Sequence, residues 1–311
     1  MSAEGAPAEL NVGFVGLGNM GWPMARNLAT ARIPPIVYDL DAERVERFVA
    51  EFGGTAAHAP EDFSPASVVV TMLPDGHAVA AALTEWEGGI AAALRPRSVV
   101  VDMSSANPLD TRELAPRLAA LGIGLVDAPV SGGITRADSG TLTLMVGGDE
   151  EWAIERAAPV LAVLGERQFR TGPLGSGHAT KALNNYCGGA AYAVTAEALA
   201  VGQHFGLNPN VMLDVLNAST GRSFNTEVLF ANEVVTGRYA SGFALALLAK
   251  DVSIAASLAA ASALDAPIVG LVSGRLAAAR DALPAGTDHS RGHQGWWDVA
   301  LAQDSEDDRA A

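Results

Sequence analysis

The stretch NVGFVGLGNMGWPMARNL, residues 11–28, decides the fold. A short apolar run feeds directly into Gly16-x-Gly18-x-x-Gly21, and Gly21 opens a segment with helical character. A lone G-x-G-x-x-G is a weak signal, but between a strand and a helix each glycine has its own task. Gly16 allows the tight turn, Gly18 lets backbone approach a pyrophosphate, and Gly21 packs helix on strand. Amides left free at the helix start, around Asn19 and Met20, then hold the anion. The next apolar run, PIVYD (35–39), ends in Asp39, about 20 residues on, where a carboxylate can bond ribose hydroxyls. Leu40 follows Asp39, with no adjacent arginine to welcome a 2′-phosphate, so NAD is expected and NADP is the alternative. The competing reading is that Asp39 or Asp41 merely caps the following helix.

Outward from this stretch the alternation continues. Apolar runs at 35–39, 67–73, 98–103, 124–130 and 141–148 are separated by helical patterns such as 19–31, 42–52 and 108–121. Runs without interleaved polar residues suggest strands buried on both faces, hence a doubly wound, mostly parallel α/β sheet of Rossmann type. After Gly172-Pro173 the character changes, and alanine-rich segments at 177–205, 209–218, 243–263 and 267–282 read as helices. The expected organisation is a flexible start (1–9), a dinucleotide-binding domain (10–174), an all-helical substrate and dimerisation domain (175–302) and a flexible tail (303–311). The long helix 177–205 is expected to join the domains and to form part of a dimer interface.

Composition narrows the function classes. A formal charge of −15 over 311 residues argues against nucleic acid as partner, because such binding requires clustered Lys and Arg. The single cysteine, Cys187, forms no intrachain disulfide and fits a reducing cytoplasm. MSAEGAPAE at the start resembles no signal peptide, and charges interrupt every alanine-rich segment, so neither export nor membrane association is expected. Among the six histidines, His289 and His293 are four apart, yet no H-E-x-x-H pattern is present and no metal is expected. No G-x-S-x-G motif announces a serine nucleophile.

The second informative stretch is GSGHATKALNN (175–185). Gly172 to Gly177 has the glycine spacing of a Walker A loop, but His178 and Ala179 follow where Lys and Ser/Thr are required, so a nucleoside triphosphate site fails. Lys181 and Asn185 are four apart and would share one helix face, with Cβ atoms about 5–6 Å apart. A single substrate hydroxyl could reach both.

Taken together, GLGNMGWPMARNL, DAPVSGG (127–133), GSGHATKALNN and LLAKDVSIA (247–255) resemble the β-hydroxyacid dehydrogenase family, typified by 3-hydroxyisobutyrate dehydrogenase; the four motifs stand in family order. The resemblance implies a dinucleotide domain followed by a helical one and a homodimer or homotetramer. It implies that Ser131, Gly132 and Gly133 hold a substrate carboxylate, Lys181 is the catalytic lysine, and Asn185, or its neighbour Asn184, orients the substrate. Lys250 would lie near the nicotinamide, with Phe243 and Asp251 in the same motif. Met72-Leu73-Pro74 and Ser104-Ser105 follow strands that end on the same edge and could line the cofactor cleft, with ordinary turn chemistry as the competing reading. The resemblance implies that Leu73, Pro74 and Ser105 contact the cofactor. Arg222, Ser223 and Asp298 are weaker candidates.

The expected activity is oxidation of a small 3-hydroxycarboxylate to its semialdehyde, with Lys181 as general acid/base. A lysine works as a base only if its pKa falls from about 10.4 toward roughly 7–8, through burial or a neighbouring cation such as Lys250. An NADPH-dependent semialdehyde or imine reductase and a non-catalytic dinucleotide-binding scaffold are the rival readings.

Overall fold

Valine-rich runs have no solvent side to offer, and they form the middle of a sheet covered by helices. In the computed structural model, which describes residues 10–297, β1 (Val12–Val15) leads through the glycine turn into α1 (Gly21–Thr30), and β2 (Ile36–Tyr38) leads into α2 (Ala42–Phe52). β3 (Thr55–Ala56), β4 (Val68–Thr71), α3 (Gly76–Thr84), α4 (Ile90–Ala93), β5 (Val99–Asp102), α5 (Pro108–Ala119) and β6 (Gly124–Asp127) follow. β7 (Val130–Ser131), α6 (Gly133–Ser139), β8 (Leu142–Gly147), α7 (Glu151–Leu164) and β9 (Gly165–Gly172) complete this part. The expected flexible ends, 1–9 and 303–311, and the candidate Asp298 lie outside the described residues.

The strand order is β3-β2-β1-β4-β5-β6-β8-β7, with β9 also paired to β8. From β3 to β6 every pairing is parallel; β8 runs antiparallel to β6 and β7 and parallel to β9. The register sets Val15, Thr71, Asp102, Asp127 and Gly147 side by side in one row. Four of these five lie at the carboxyl ends of parallel strands, the edge at which doubly wound sheets bind ligands.

Two strands differ from the sequence reading. The run 124–130 divides at Ala128-Pro129 into β6 and β7, since Pro129 has no N–H to donate to a ladder. β9, GERQFRTG, was not anticipated: its middle is exposed and polar, so it lacks the apolar signature of a buried strand.

The helical part comprises α8 (Ser176–Phe205), α9 (Pro209–Asn217), a π-helical segment Asn225–Val234, α10 (Leu245–Ala261), α11 (Pro267–Ala282) and a 3₁₀ segment His289–Gly295. The chain divides into two compact units between Lys181 and Ala182, within α8. In the second unit Tyr192, Leu199, Phe230 and Val234 form one buried cluster, and Leu248, Val252 and Leu276 another. Among the described residues no helix is long and apolar enough to cross a membrane.

Candidate active site

The glycine turn is fixed by contact as well as by conformation. A Cβ on Gly16 would stand 2.4 Å from the Met72 carbonyl oxygen, and one on Gly21 would stand 1.9 Å from that of Gly16. A Cβ on Gly18 would meet nothing within 4 Å, so open space lies above this residue. At the start of α1 the N-cap Met20 makes no side-chain bond and the first turn carries no acid. Amides there have no capping side chain and favour an anion. An open glycine beside an uncapped helix start fits the pyrophosphate of a dinucleotide.

Asp39 accepts the Leu17 amide at 2.6 Å and the Asp41 amide at 2.9 Å, tying the end of β2 to the glycine turn. Asp41 is the residue that caps α2, accepting the Arg44 amide at 3.1 Å. The sequence argument that no arginine stands by Asp39 needs correction. The first turn of α2 swings Arg44 back, placing Nη1 3.4 Å from Asp39 and Nη2 3.2 Å from Asp41.

The loops after β4 and β5 are joined to each other. The Leu73 amide donates to Ser104 Oγ at 3.0 Å, and the Ser104 amide donates to Asp102 Oδ1 at 3.1 Å. The hydroxyl that orders this corner is therefore that of Ser104, buried, while the predicted Ser105 beside it is half-buried and Pro74 is exposed. Ser131 ends β7, and Gly132 and Gly133 take φ values of +136° and +65°, a region that favours glycine. A Cβ on Gly132 would stand 2.5 Å from Arg136 Cδ, whereas Gly133 faces open space.

Asp127, at the end of β6, caps the start of α8: its oxygens accept the Gly175 and His178 amides, each at 2.8 Å. A Cβ on Gly177 would stand 2.2 Å from the Met145 carbonyl oxygen and 2.8 Å from Asp127 Oδ2. Gly177 thus seats the helix on the sheet, so the glycines of GSGHATKALNN serve helix docking. The His178 ring is fully buried, with Nδ1 2.8 Å from Thr111 Oγ1 and Nε2 3.7 Å from Asp102 Oδ2.

Lys181 follows one turn later and is half-buried. The second unit orders its own polar group around Asp251, which is 3 % exposed. Asn185 Nδ2 donates to Asp251 Oδ2 at 2.6 Å, and Lys250 Nζ lies 3.3 Å from Oδ1. Asn184 is exposed and donates to Asn185 Oδ1 at 3.1 Å, so it braces its neighbour. Phe243 packs edge-on against His289 at 5.5 Å. Arg222 pairs with Glu227 at 3.6 Å, and Ser223 bonds the Thr226 hydroxyl through its amide at 2.8 Å. Among the described residues no cluster of three or more His, Cys, Asp or Glu could hold a metal.

Asp102, Asp127 and Thr111 were not singled out from sequence, and His178 served only to reject a Walker loop. A signal existed for the two acids: each closes an apolar run, SVVVD and GLVD, where a buried strand reaches the binding edge of the sheet.

A family model described as the NAD binding domain of 6-phosphogluconate dehydrogenase matches residues 11–172. A second, described as NAD-binding of NADP-dependent 3-hydroxyisobutyrate dehydrogenase, matches residues 175–293. The chain is 38 % identical over 247 residues to 2-(hydroxymethyl)glutarate dehydrogenase of Eubacterium barkeri, covering 79 % of this chain and 81 % of that protein. It is 35 % identical over 266 residues to NAD-dependent L-serine dehydrogenase of Pseudomonas aeruginosa, covering 84 % and 89 %. Its fold is similar to that of Mycobacterium tuberculosis 3-hydroxyisobutyrate dehydrogenase solved with L-serine, with a TM-score of 0.84, 30 % identity and coverage of 92 % and 99 %. The glycine turn, the carboxyl-edge acids and these likenesses converge: the chain belongs to the β-hydroxyacid dehydrogenase family and is an NAD(P)-dependent dehydrogenase of a hydroxyacid.

Proposed function

We propose that the protein interconverts a small 3-hydroxycarboxylate and its semialdehyde, with Lys181 as general acid/base. One observation carries this reading. Of the 20 lysine and arginine residues only two are lysines, Lys181 and Lys250, and both fall in the candidate site motifs. Arginine fills every other basic position, and a guanidinium cannot give up its proton, whereas an ammonium in a shielded site can.

When bound, NAD⁺ supplies the hydride acceptor. Lys181 takes the hydroxyl proton at Nζ and returns it in the reductive direction. Asn185 has two N–H donors, one committed to Asp251, and the other holds the substrate hydroxyl oxygen. Ser131, Gly132 and Gly133 receive the carboxylate, and Lys250, paired with Asp251, keeps a positive charge at the same motif. NAD is preferred over NADP because Arg44 is already shared by two carboxylates, so a 2′-phosphate would face Asp39 and Asp41. Val194, Val201 and Phe205 on α8 are 67 %, 66 % and 83 % exposed, which supports a homodimer or homotetramer. A cytoplasmic setting suits the exposed thiol of Cys187.

The test is Lys181→Ala with NAD⁺ and a panel of 3-hydroxyisobutyrate, 3-hydroxypropionate, glycerate, L-serine and 2-(hydroxymethyl)glutarate. The variant is expected to lose about 10²-fold or more in kcat while still binding NAD. Unchanged turnover removes the lysine from the mechanism.

A further inference from the structure

The chain buries a histidine and two aspartates together beneath the start of α8. His178 is 1 % exposed, Asp102 2 % and Asp127 0 %. Burying three ionisable groups carries a desolvation penalty of several kcal/mol for each charged one, and apolar residues of similar size often seat a helix at least as well. The arrangement is accordingly more informative about geometry than about stability.

His178 is held on three sides. Its amide reaches Asp127 Oδ2 at 2.8 Å, from β6. Its Nδ1 reaches Thr111 Oγ1 at 2.8 Å, from α5. Its Nε2 faces Asp102 Oδ2 at 3.7 Å, from β5, with no hydrogen-bond partner of its own. Each ring nitrogen thus has a carboxylate near it: Nδ1, which shares a hydrogen bond with the threonine hydroxyl, lies 3.9 Å from Asp127 Oδ2, and Nε2 points toward Asp102. Lys181 lies three residues further along the same helix, about 4.5 Å of rise away.

The contacts also extend in the other direction. Asp102 Oδ1 accepts from Thr71 Oγ1 at 2.8 Å and from the Ser104 amide at 3.1 Å, and Ser104 Oγ accepts the Leu73 amide at 3.0 Å. Hydrogen bonds thus link Leu73, Ser104 and Asp102, and the other oxygen of Asp102 stands 3.7 Å from the His178 ring on the helix that carries the lysine.

We propose that His178 is a positioning residue: clasped between the carboxylates that end β5 and β6, it sets the direction of the first turn of α8 and with it the place of Lys181. The proposal rests on the reading of Lys181 as the acid/base group. A group displaced by about 1 Å can lose as much as 10²-fold in rate, so a residue that merely aims the lysine has large leverage.

The two-lysine composition supplies a direct readout that needs no substrate. Reductive methylation of the full-length protein, followed by mass spectrometry, reports the reactivity of Lys181 with Lys250 as internal reference. His178→Leu is expected to make Lys181 react about threefold or more faster relative to Lys250, as the loosened first turn opens. With NAD⁺ and 3-hydroxyisobutyrate the same variant is expected to lose about 10-fold in kcat, with KM changed by less than about threefold. His178→Gln places an amide donor near the Nε2 position and is expected to recover most of both effects; His178→Asn, which restores only the Thr111 side, is not. Thr111→Val tests the same clasp should the leucine variant fail to fold.

An unchanged Lys181-to-Lys250 labelling ratio in folded His178 and Thr111 variants overturns the proposal. So does a loss of activity that Gln and Asn share equally with Leu, because that pattern marks a structural role alone. Full turnover in Lys181→Ala overturns the acid/base reading and the proposal with it, whereas an inactive Lys181→Ala beside an unaffected His178→Leu overturns the positioning role alone.

Discussion

Asn185 donates its side-chain amide to the buried carboxylate of Asp251 across 2.6 Å, and the other oxygen of that carboxylate lies 3.3 Å from Lys250. One acid therefore fixes which way the asparagine presents its remaining N–H and holds one of the chain's two lysines. Removing it leaves the half-buried Asn185 amide without this acceptor and Lys250 without this carboxylate. Asp251→Leu is expected to destabilise the protein by about 1–3 kcal/mol and to lower kcat/KM at least as much as Asn185→Ala. Chemical denaturation and steady-state kinetics on both variants check this; equal activity in Asp251→Leu and the parent would separate Asp251 from the site.

Two glycines of one motif should fail in opposite ways. A Cβ on Gly21 would stand 1.9 Å from the Gly16 carbonyl oxygen, so Gly21→Ala must displace backbone, and overpacking of this kind costs about 1–3 kcal/mol or more. A Cβ on Gly18 meets nothing within 4 Å of the chain, so Gly18→Ala should fold normally and instead obstruct the pyrophosphate. Thermal midpoint and NAD affinity, measured on both, should separate cleanly: Gly21→Ala loses stability, and Gly18→Ala loses binding by about 10-fold or more. A Gly18→Ala protein with parent affinity would place the cofactor elsewhere.

Cofactor choice should turn on how Arg44 is occupied. Asp39 and Asp41 both lie within 3.4 Å of its guanidinium, and these are partly exposed pairs of modest strength. Asp39→Ser withdraws one carboxylate and its repulsion from a 2′-phosphate, and the serine hydroxyl can still bond an anion. The ratio of kcat/KM for NADP⁺ to that for NAD⁺ is expected to rise about 10-fold or more, and Arg44→Ala added to it should reverse much of the gain. Parent protein that already prefers NADP⁺ would refute the reading of Asp39.

Much of this was legible in the sequence because it rests on local chemistry. The glycine turn, the valine strands and the spacing of Lys181 and Asn185 depend on neighbours a few residues away. Arg44 was missed because its approach to Asp39 depends on the first turn of α2 folding back, a relation that adjacency in sequence does not express. The Asp102, Asp127 and His178 group was missed because it draws on strands β5 and β6 and helices α5 and α8, and only the register of the sheet brings them together. β9 escaped because an exposed, polar strand carries no burial pattern. In the sequence Gly177 served to reject a phosphate loop; its purpose depends on Met145, 32 positions earlier in the chain and in β8.

Stability should fall in mild acid through His293. This residue is 1 % exposed; Tyr192 Oη receives its amide at 2.8 Å and lies 3.2 Å from Nδ1, while Nε2 has no partner. Burial pushes the imidazole down from its ordinary 6.5 to about 4, and burial also lowers His289, partly offset by the neighbouring Asp288 carboxylate. Both histidines are held neutral in the fold and take up protons more readily when the chain is unfolded. The stability they contribute is therefore fully present above about pH 6.5 and is lost as pH falls toward 4, by an amount on the order of 3 kcal/mol for His293. Urea unfolding at a series of pH values should show a plateau near neutrality and a decline across that window, ahead of any loss from carboxylates held low, such as Glu233 beside Arg238. His293→Gln removes the titrating group, so its stability curve should be flatter than the parent's between pH 6.5 and 4, even if its plateau is lower. Parallel curves for the two proteins would show that the acid sensitivity arises elsewhere.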